Sequence, residues 1–326
     1  MKVLVTGGGG FLGQAVVRGL VGRGHEVRAL NRSRYPILEA LGVDCRRGDL
    51  ADADAVRSAC RGCEAVVHAG ARAGPGLYYP DFERANVTGT QNVLDACRAE
   101  SIGVLVHTSS PSVVHAGGDV EGGIESLPYP DHFTAPYPAT KAEAERRVLA
   151  ANSPALKTVA LRPHLIWGPG DNHLLPRLIE RNRAGRLRLP APDKKIDTVY
   201  IDNAAQAHLL ALDELSGAAK SAGKAYFISN GEPLAAAEIM RRLLQAAGET
   251  PLIGSVPLPV ARAAAAVVET AWRGLRLKSD PPVSRFLVEH LSTAHWFDIS
   301  AARRDLGYWP SISIEEGLKR LANERL

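Results

Sequence analysis

Apolar residues gather in short β-branched runs along the first half of this chain, and stretches with helical spacing fill the gaps between them. The runs predict strands at Lys2–Thr6, Glu26–Leu30, Ala65–His68, Val104–Ser109 and Thr158–Leu161. Recurrence at three and four residues predicts helices at Phe11–Gly22, Ala53–Cys60, Asp81–Ala99 and Pro136–Ala151. Strands that are apolar on both faces and alternate with helices predict an α/β fold, a doubly wound parallel sheet of Rossmann type with helices on both sides. Further on, Thr198–Ile201 and Ala225–Ile228 read as later strands rejoining that sheet. Asn203–Leu215, Ala235–Ala247 and Val260–Arg273 read as helices. Proline and glycine thicken around 163–170, 185–192 and 249–259, which places the core in 1–165 and a smaller C-terminal α/β lobe in 166–326.

Glycine placement gives the core its first chemistry. Gly7, Gly10 and Gly13 form G-x-x-G-x-x-G between the first strand and the first helix. The first glycine permits a tight turn, the second lets backbone approach a pyrophosphate, and the third allows close packing of helix on strand. The helix N-terminus then offers free N–H groups to phosphate oxygens, so the core is expected to bind a dinucleotide. At the end of the second strand an NAD site usually carries an acid for the ribose 2′-hydroxyl, but here the residues are Asn31, Arg32 and Ser33. Arg32 can pair with a 2′-phosphate, and Asn31 and Ser33 can donate to it, which favours NADP(H). Asp49 and Leu50 follow the third strand, where an aspartate can accept from an adenine amino group or simply close a turn.

A second signal lies at Tyr137-Pro-Ala-Thr-Lys141. Residues four apart share a helix face, and an ammonium there can lower a phenol's pKa so that it exchanges a proton with a substrate oxygen. The predicted strand at 104–109 runs into Ser110-Pro-Ser112, and either hydroxyl can serve the same oxygen.

These residues together resemble the extended short-chain dehydrogenase/reductase superfamily, in its 3β-hydroxysteroid dehydrogenase-like branch. The likeness is carried by Gly7–Gly13, Asp49, His68-Ala-Gly-Ala71, Asn86-Val-Thr-Gly-Thr90, Tyr137/Lys141, Leu161-Arg-Pro163, Trp167-Gly-Pro-Gly170 and the Arg304-Asp-Leu-Gly-Tyr308 segment. The resemblance implies catalysis by Ser110, Tyr137 and Lys141, with Ser112 as the other candidate hydroxyl. It also implies a cofactor contact set that adds Phe11, Leu12, Leu50, Ala69, Gly70, Ala71 and Pro163, with Lys141 on the nicotinamide ribose. Stretches such as LNRSRYP and YFISNGEPL are similar to a group of NADPH-dependent reductases of olefin biosynthesis. That implies a long-chain 2-alkyl-3-oxo acid as substrate, a homodimer through the helices at 81–99 and 136–151, and assembly with a β-lactone synthetase and a hydrolase-like enzyme. Arg72 is the candidate cation for the substrate carboxylate. A sterol-type dehydrogenase and a sugar-nucleotide epimerase are the alternatives within the superfamily; Pro111 and Ser112 stand where dehydratases place acids.

Composition narrows this little further. The chain has 326 residues, 45% hydrophobic and 23% charged, and a net charge of +4 from interspersed acids and bases, which does not suggest nucleic acid. Cys45, Cys60, Cys63 and Cys97 lack zinc spacing and predict reduced thiols in a cytosolic protein; His68, His107, His115 and His173 predict no metal. The chain opens directly on a strand pattern, which predicts no signal peptide. Leu258–Trp272 is apolar but interrupted by Arg262 and Glu269, so it predicts an amphipathic helix over an apolar site or a membrane surface, and not a span.

Overall fold

The computed structural model describes residues 1–324; positions 325 and 326, the end of the expected second lobe, lie outside the described residues. The expected parallel sheet is present. Its seven strands are β1 (Lys2–Thr6), β2 (Glu26–Asn31), β3 (Asp44–Arg47), β4 (Ala65–His68), β5 (Val104–Thr108), β6 (Lys157–Pro163) and β7 (Lys224–Ile228). They run β7-β6-β5-β4-β1-β2-β3 across the sheet, all pairs parallel. The order therefore reverses between β1 and β4, and ligands of such sheets bind in the crevice at the strand C-termini there.

Side-chain alternation explains why helices cover both faces. Val3, Val5, Val67, Val106 and Leu161 point to one face, where α1 (Phe11–Gly22) lies beside a later helix. Leu4, Val66 and Leu105 point to the other, against α2 (Ala53–Cys60) and α3 (Gly89–Ala99). Next along the chain, α4 (Pro136–Ala150) carries the Tyr–Lys pair, and α5 (Ile201–Ser216) is the helix beside α1: a Cβ at Gly19 would stand 2.6 Å from Leu209 Cδ1.

Two expectations need correction. The continuous helix over 81–99 is broken: a short helix at Tyr79–Glu83 passes through one π-turn at Arg84–Thr88 before α3 begins. Such bulges gather at functional sites, and this one lets Asn86 bond the Arg72 backbone on one side and Thr140 on the other. The strand at 198–201 shrinks to Val199–Tyr200 and pairs with Ile166–Trp167 outside the main sheet. It ends there because α5 starts at Ile201, and Asn230 accepts the Tyr200 N–H that a ladder would have used.

The smaller lobe has its own four-stranded sheet, assembled from Leu234–Ala235, Lys195–Ile196, His295–Phe297 and Val120–Gly123. One of those strands comes from before residue 165, and α5, from after it, packs under the main sheet, so the chain crosses between lobes more than once. The helices α6 (Leu258–Gly274) and α7 (Arg285–Ser292) close this lobe, Ala261 and Ala265 packing on Val288.

Candidate active site

The predicted cofactor residues cluster at the C-terminal edge of the sheet, in strand ends (Asn31, Pro163), the loops after them, and the first turns of α1 and α4. Gly7 follows β1 with φ +68°, a left-handed turn that other side chains adopt only under strain, and a Cβ at Gly13 would come 2.1 Å from the Gly7 carbonyl oxygen. The Gly10 N–H donates to that same carbonyl at 2.9 Å, which shapes the loop. No side chain caps α1 and no acid stands in its first turn, so the N–H groups of Phe11 and Leu12 are free for an anion. Ala69, Gly70 and Ala71 follow β4, with the Gly70 N–H on Thr6 Oγ1 at 3.1 Å, and Leu50 packs against the Gly70 backbone.

The end of β2 departs from expectation in detail. Asn31 is buried and its carboxamide oxygen accepts the Gly9 N–H at 2.8 Å, so it braces the glycine loop. Arg32 and Ser33 are exposed, and Arg32 makes no ion pair among the described residues. The register Asn31↔Arg47 brings a second guanidinium alongside, its Nε donating to the Arg32 carbonyl at 3.2 Å. Arg47 was not evident from motif spacing, because only the pairing of β2 with β3 places it there. Asp49 is already engaged: one oxygen accepts the Ala51 N–H at 2.9 Å, and the other pairs with Arg84 at 3.1 Å. Its geometry is that of a turn residue.

Facing this edge, α4 begins at Pro136, and its face carries Tyr137, Lys141 and Glu145 one turn apart. Tyr137 is half-buried between Phe82 and Phe286, whose ring centres lie 6.5 and 6.4 Å away, both edge-on. Burial pushes the phenol up from its ordinary value, and the Ser110 hydroxyl pulls it part of the way back. Lys141 is not among the groups that move it. Its buried amine donates to the Thr108 carbonyl at 2.6 Å and lies 3.4 Å from His107 Nε2. The expectation of direct tuning of the phenol by lysine is therefore not what these side chains do; burial lowers the Lys141 amine itself to about 8, with Glu145 opposing.

Ser110 and Ser112 lie on the short helical turn after β5, their hydroxyls 2.9 Å apart, with Ser110 Oγ also accepting the Ser112 N–H at 3.2 Å. Ser112 is buried and opens into a narrow cavity of about 30 Å3 that His115, Phe133, Thr134, Pro138 and Phe286 also line. Pro163 ends β6, buried. His164 after it is packed, its Nδ1 2.5 Å from the buried Asp197 carboxylate.

Beneath the Tyr–Lys pair the structure adds a network that short motifs did not reveal. Glu145 and Arg162 form a fully buried two-pronged ion pair at 2.6 and 3.0 Å, and Tyr129 donates to Glu145 at 2.6 Å. Burial alone would push the Glu145 carboxyl up, but Arg162 and Tyr129 hold it below the usual range. The i+4 step from Lys141 was the available sequence signal. On the other side of Lys141, His68 bonds Thr6 and Thr90 at 2.7 and 3.0 Å, its burial lowering it to about 3. Among the described residues no group of three or more His, Cys, Asp or Glu is arranged to hold a metal ion, and all four cysteines are free thiols.

With this geometry in place, likeness to known proteins can be weighed. Residues 4–259 match the 3-beta hydroxysteroid dehydrogenase/isomerase family. The chain is 57% identical over 324 residues to a 2-alkyl-3-oxoalkanoate reductase of Stenotrophomonas maltophilia, covering 98% of each. It is 48% identical to a 2-alkyl-3-oxoalkanoate reductase of Shewanella oneidensis, covering 97% of this chain and 84% of that one. Among solved structures it superposes on a Thermus thermophilus UDP-glucose 4-epimerase in complex with NAD, with TM-score 0.76, 26% identity, and 99% and 98% of the two chains covered.

Proposed function

The chain belongs to the 3-beta hydroxysteroid dehydrogenase/isomerase family, and on that premise we propose that it reduces the 3-oxo group of 2-alkyl-3-oxoalkanoic acids to the 3-hydroxy acid. It is an oxidoreductase that uses a nicotinamide dinucleotide. The observation that carries the substrate is the 57% identity, end to end, with a reductase of that name.

The glycine loop and the uncapped N-terminus of α1 fit a pyrophosphate, because Gly13, lacking a Cβ, lets α1 pack directly on the Gly7–Gly8 backbone while the N–H groups of its first turn stay without a side-chain cap. Arg32 and Arg47 favour the 2′-phosphate of NADP(H), supported by the absence of an acid after β2. When bound, the reduced nicotinamide supplies a hydride for the ketone carbon. Tyr137 gives its proton to the oxygen that gains charge, and its raised pKa keeps it protonated near neutral pH until that charge develops. Ser110 donates a hydrogen bond to the same oxygen, with Ser112 behind it to hold the hydroxyl's orientation. Lys141, held on the Thr108 carbonyl, would hold the ribose hydroxyls of a bound cofactor, while Glu145 and Arg162 lock the helix that carries it and Tyr137.

The substrate's two ends meet separate residues. Phe82 and Phe286 flank Tyr137 and suit the alkyl branches. Arg72 stacks over Phe82 at 5.0 Å and has only a long 3.8 Å contact with Asp81, so it is the cation offered to the carboxylate. A homodimer through α3 and α4 belongs to the same proposal. The test is oxidation of NADPH and NADH by 2-alkyl-3-oxo acids, run beside reduction of NAD by sterols and product analysis of UDP-sugars incubated with NAD. Turnover of the oxo acids with NADPH supports the proposal; sterol oxidation with NAD, or exchange of UDP-sugars, overturns it.

A further inference from the structure

Two rows of side chains cross the sheet on the face that α3 and α4 cover, and they differ in kind. Leu4, Val66 and Leu105 stand in register across β1, β4 and β5 and are apolar. Two residues further on, at the strand ends, the same face carries Thr6, His68 and His107. Both imidazoles are 1% exposed, and their ring centres lie 5.2 Å apart. Polar rings are costly in such a place unless their nitrogens are bonded.

Partners fix which nitrogen carries each proton. Thr90 gives its hydroxyl proton to the Asn86 carbonyl at 2.5 Å, so it accepts from His68 Nε2, and His68 Nδ1 accepts from Thr6. On the opposite face of the sheet, His208 of α5 donates from Nδ1 to the Ala204 carbonyl at 2.7 Å and accepts from the Thr108 hydroxyl at Nε2, 2.8 Å away. Burial lowers His68 to about 3 and His208 to about 4, so both rings are neutral and fully bonded. His107 differs. Its Nε2 lies 3.4 Å from the Lys141 ammonium, which can only donate, so Nε2 accepts. The ring proton then sits on Nδ1, which has no partner in the protein. An aliphatic side chain would fill the same space without an orphaned N–H, so packing does not account for this residue.

We propose that His107 is a positioning residue for Lys141: its Nε2 and the Thr108 carbonyl take two of the ammonium's three N–H bonds and leave the third for the nicotinamide ribose. Thr108 accepts at 2.6 Å, and His208 steadies it through its hydroxyl. Adjacent residues of one strand thus fix the amine from two directions. The titratable groups that face His107 are Lys141 from α4, His68 from β4 and His208 from α5; behind burial, each helps hold it well below its ordinary value, so it stays an acceptor. Glu145, one turn along α4, opposes the burial that lowers Lys141. A neutral acceptor also favours the charged amine over the neutral one, so His107 sustains a charge that burial erodes. His107 matters only if Lys141 holds that ribose, as proposed above; neither the substrate nor the choice between NADPH and NADH enters, since both cofactors carry it.

The test is binding of NADPH and of NADH to the full chain without substrate, followed by nicotinamide fluorescence from about pH 6.5 to about 9.5. Wild-type affinity should fall as the pH passes about 8, where Lys141 loses its proton. His107→Leu should move that midpoint down by about one pH unit and weaken binding between the two midpoints by about fivefold. His107→Gln, whose amide oxygen can take the place of Nε2, should restore both. His107→Asn is a bond too short to do so, should behave like His107→Leu, and carries the test if the leucine variant does not fold. A wild-type midpoint in His107→Leu and His107→Asn, or a loss that is equal at every pH and that His107→Gln shares, would reduce His107 to a structural role. Lys141→Met that binds both cofactors like wild type at every pH would instead remove the ribose contact itself, and the positioning role with it.

Discussion

In the proposed reaction the glycine loop would hold the cofactor and the α4 face the ketone, yet the two are built in opposite ways. At the loop, backbone does the work: a positive φ at Gly7, an absent Cβ at Gly13, free N–H groups at the start of α1. All of it comes from seven consecutive residues. On α4, side chains work through partners far away in sequence: Lys141 through Thr108 and His107, Glu145 through Arg162 and Tyr129, Tyr137 through Phe82 and Phe286. A local site can be altered with little effect beyond affinity. A distributed one links turnover to stability, because the groups that hold its charges are buried.

The largest effect expected from that difference is on turnover. Tyr137→Phe removes the proton donor from a half-buried position without removing its ring, so kcat should fall by about 10²–10⁴-fold with the melting temperature nearly unchanged. Steady-state kinetics beside a thermal melt checks both halves. One turn along the helix, Glu145→Ala leaves the Arg162 guanidinium buried and unpaired, which should cost about 3–5 kcal/mol of stability, read by urea unfolding. If Glu145→Ala unfolded at the wild-type urea midpoint, the distributed view of α4 would be wrong.

At the cofactor end the effect should be smaller and confined to binding. Arg32→Ala with Arg47→Ala removes charged hydrogen-bond donors worth about 1.5–3 kcal/mol each to a phosphate. The KM for NADPH should rise by about tenfold or more, while the KM for NADH and the melt stay where they were. An equal loss for both cofactors would show that the pair only supports the loop.

The smallest effect is a pH dependence that separates activity from stability at one residue. Burial lowers Lys141 to about 8 from an ordinary 10.5. Below pH 8 it is charged in both folded and unfolded chains, and the folded state carries the full cost of burying that charge. As pH rises from 8 toward 10.5 the folded state sheds the proton first, so this residue's contribution to stability rises while its charge at the cofactor edge is lost. Relative to Lys141→Met, wild-type protein should therefore gain in melting temperature over that window as its kcat/KM falls. His68, lowered to about 3, follows the same sign in acid: its contribution is complete above about 6.5 and is lost as pH falls toward 3.

What the sequence made legible follows the same division. The sheet and α1 were readable because β-branched runs and a glycine turn act locally, and the Tyr137/Lys141 spacing was readable because a helix puts i and i+4 on one face. Arg47 was hidden because sheet pairing, not spacing, brings it beside Arg32. Arg162 was hidden because its partner lies 17 residues back on another element. The π-turn at 84–88 was hidden because helical periodicity looks nearly the same with one residue added, and its cause is the long-range clamp made by Asn86. The second lobe was least readable, since its sheet joins four two- to four-residue strands from distant parts of the chain, too short to show a period.

The central claim is that hydride and proton are delivered to one ketone at the Ser110–Tyr137 edge. It is tested most directly with NADPH deuterated on its transferable C4 position and a 2-alkyl-3-oxoalkanoic acid, the product being analysed by mass spectrometry. The account predicts one deuterium at C3 of the 2-alkyl-3-hydroxy acid with wild-type protein, and almost none with Tyr137→Phe over the same time. Unlabelled product, or labelling that survives Tyr137→Phe at the wild-type rate, would contradict it.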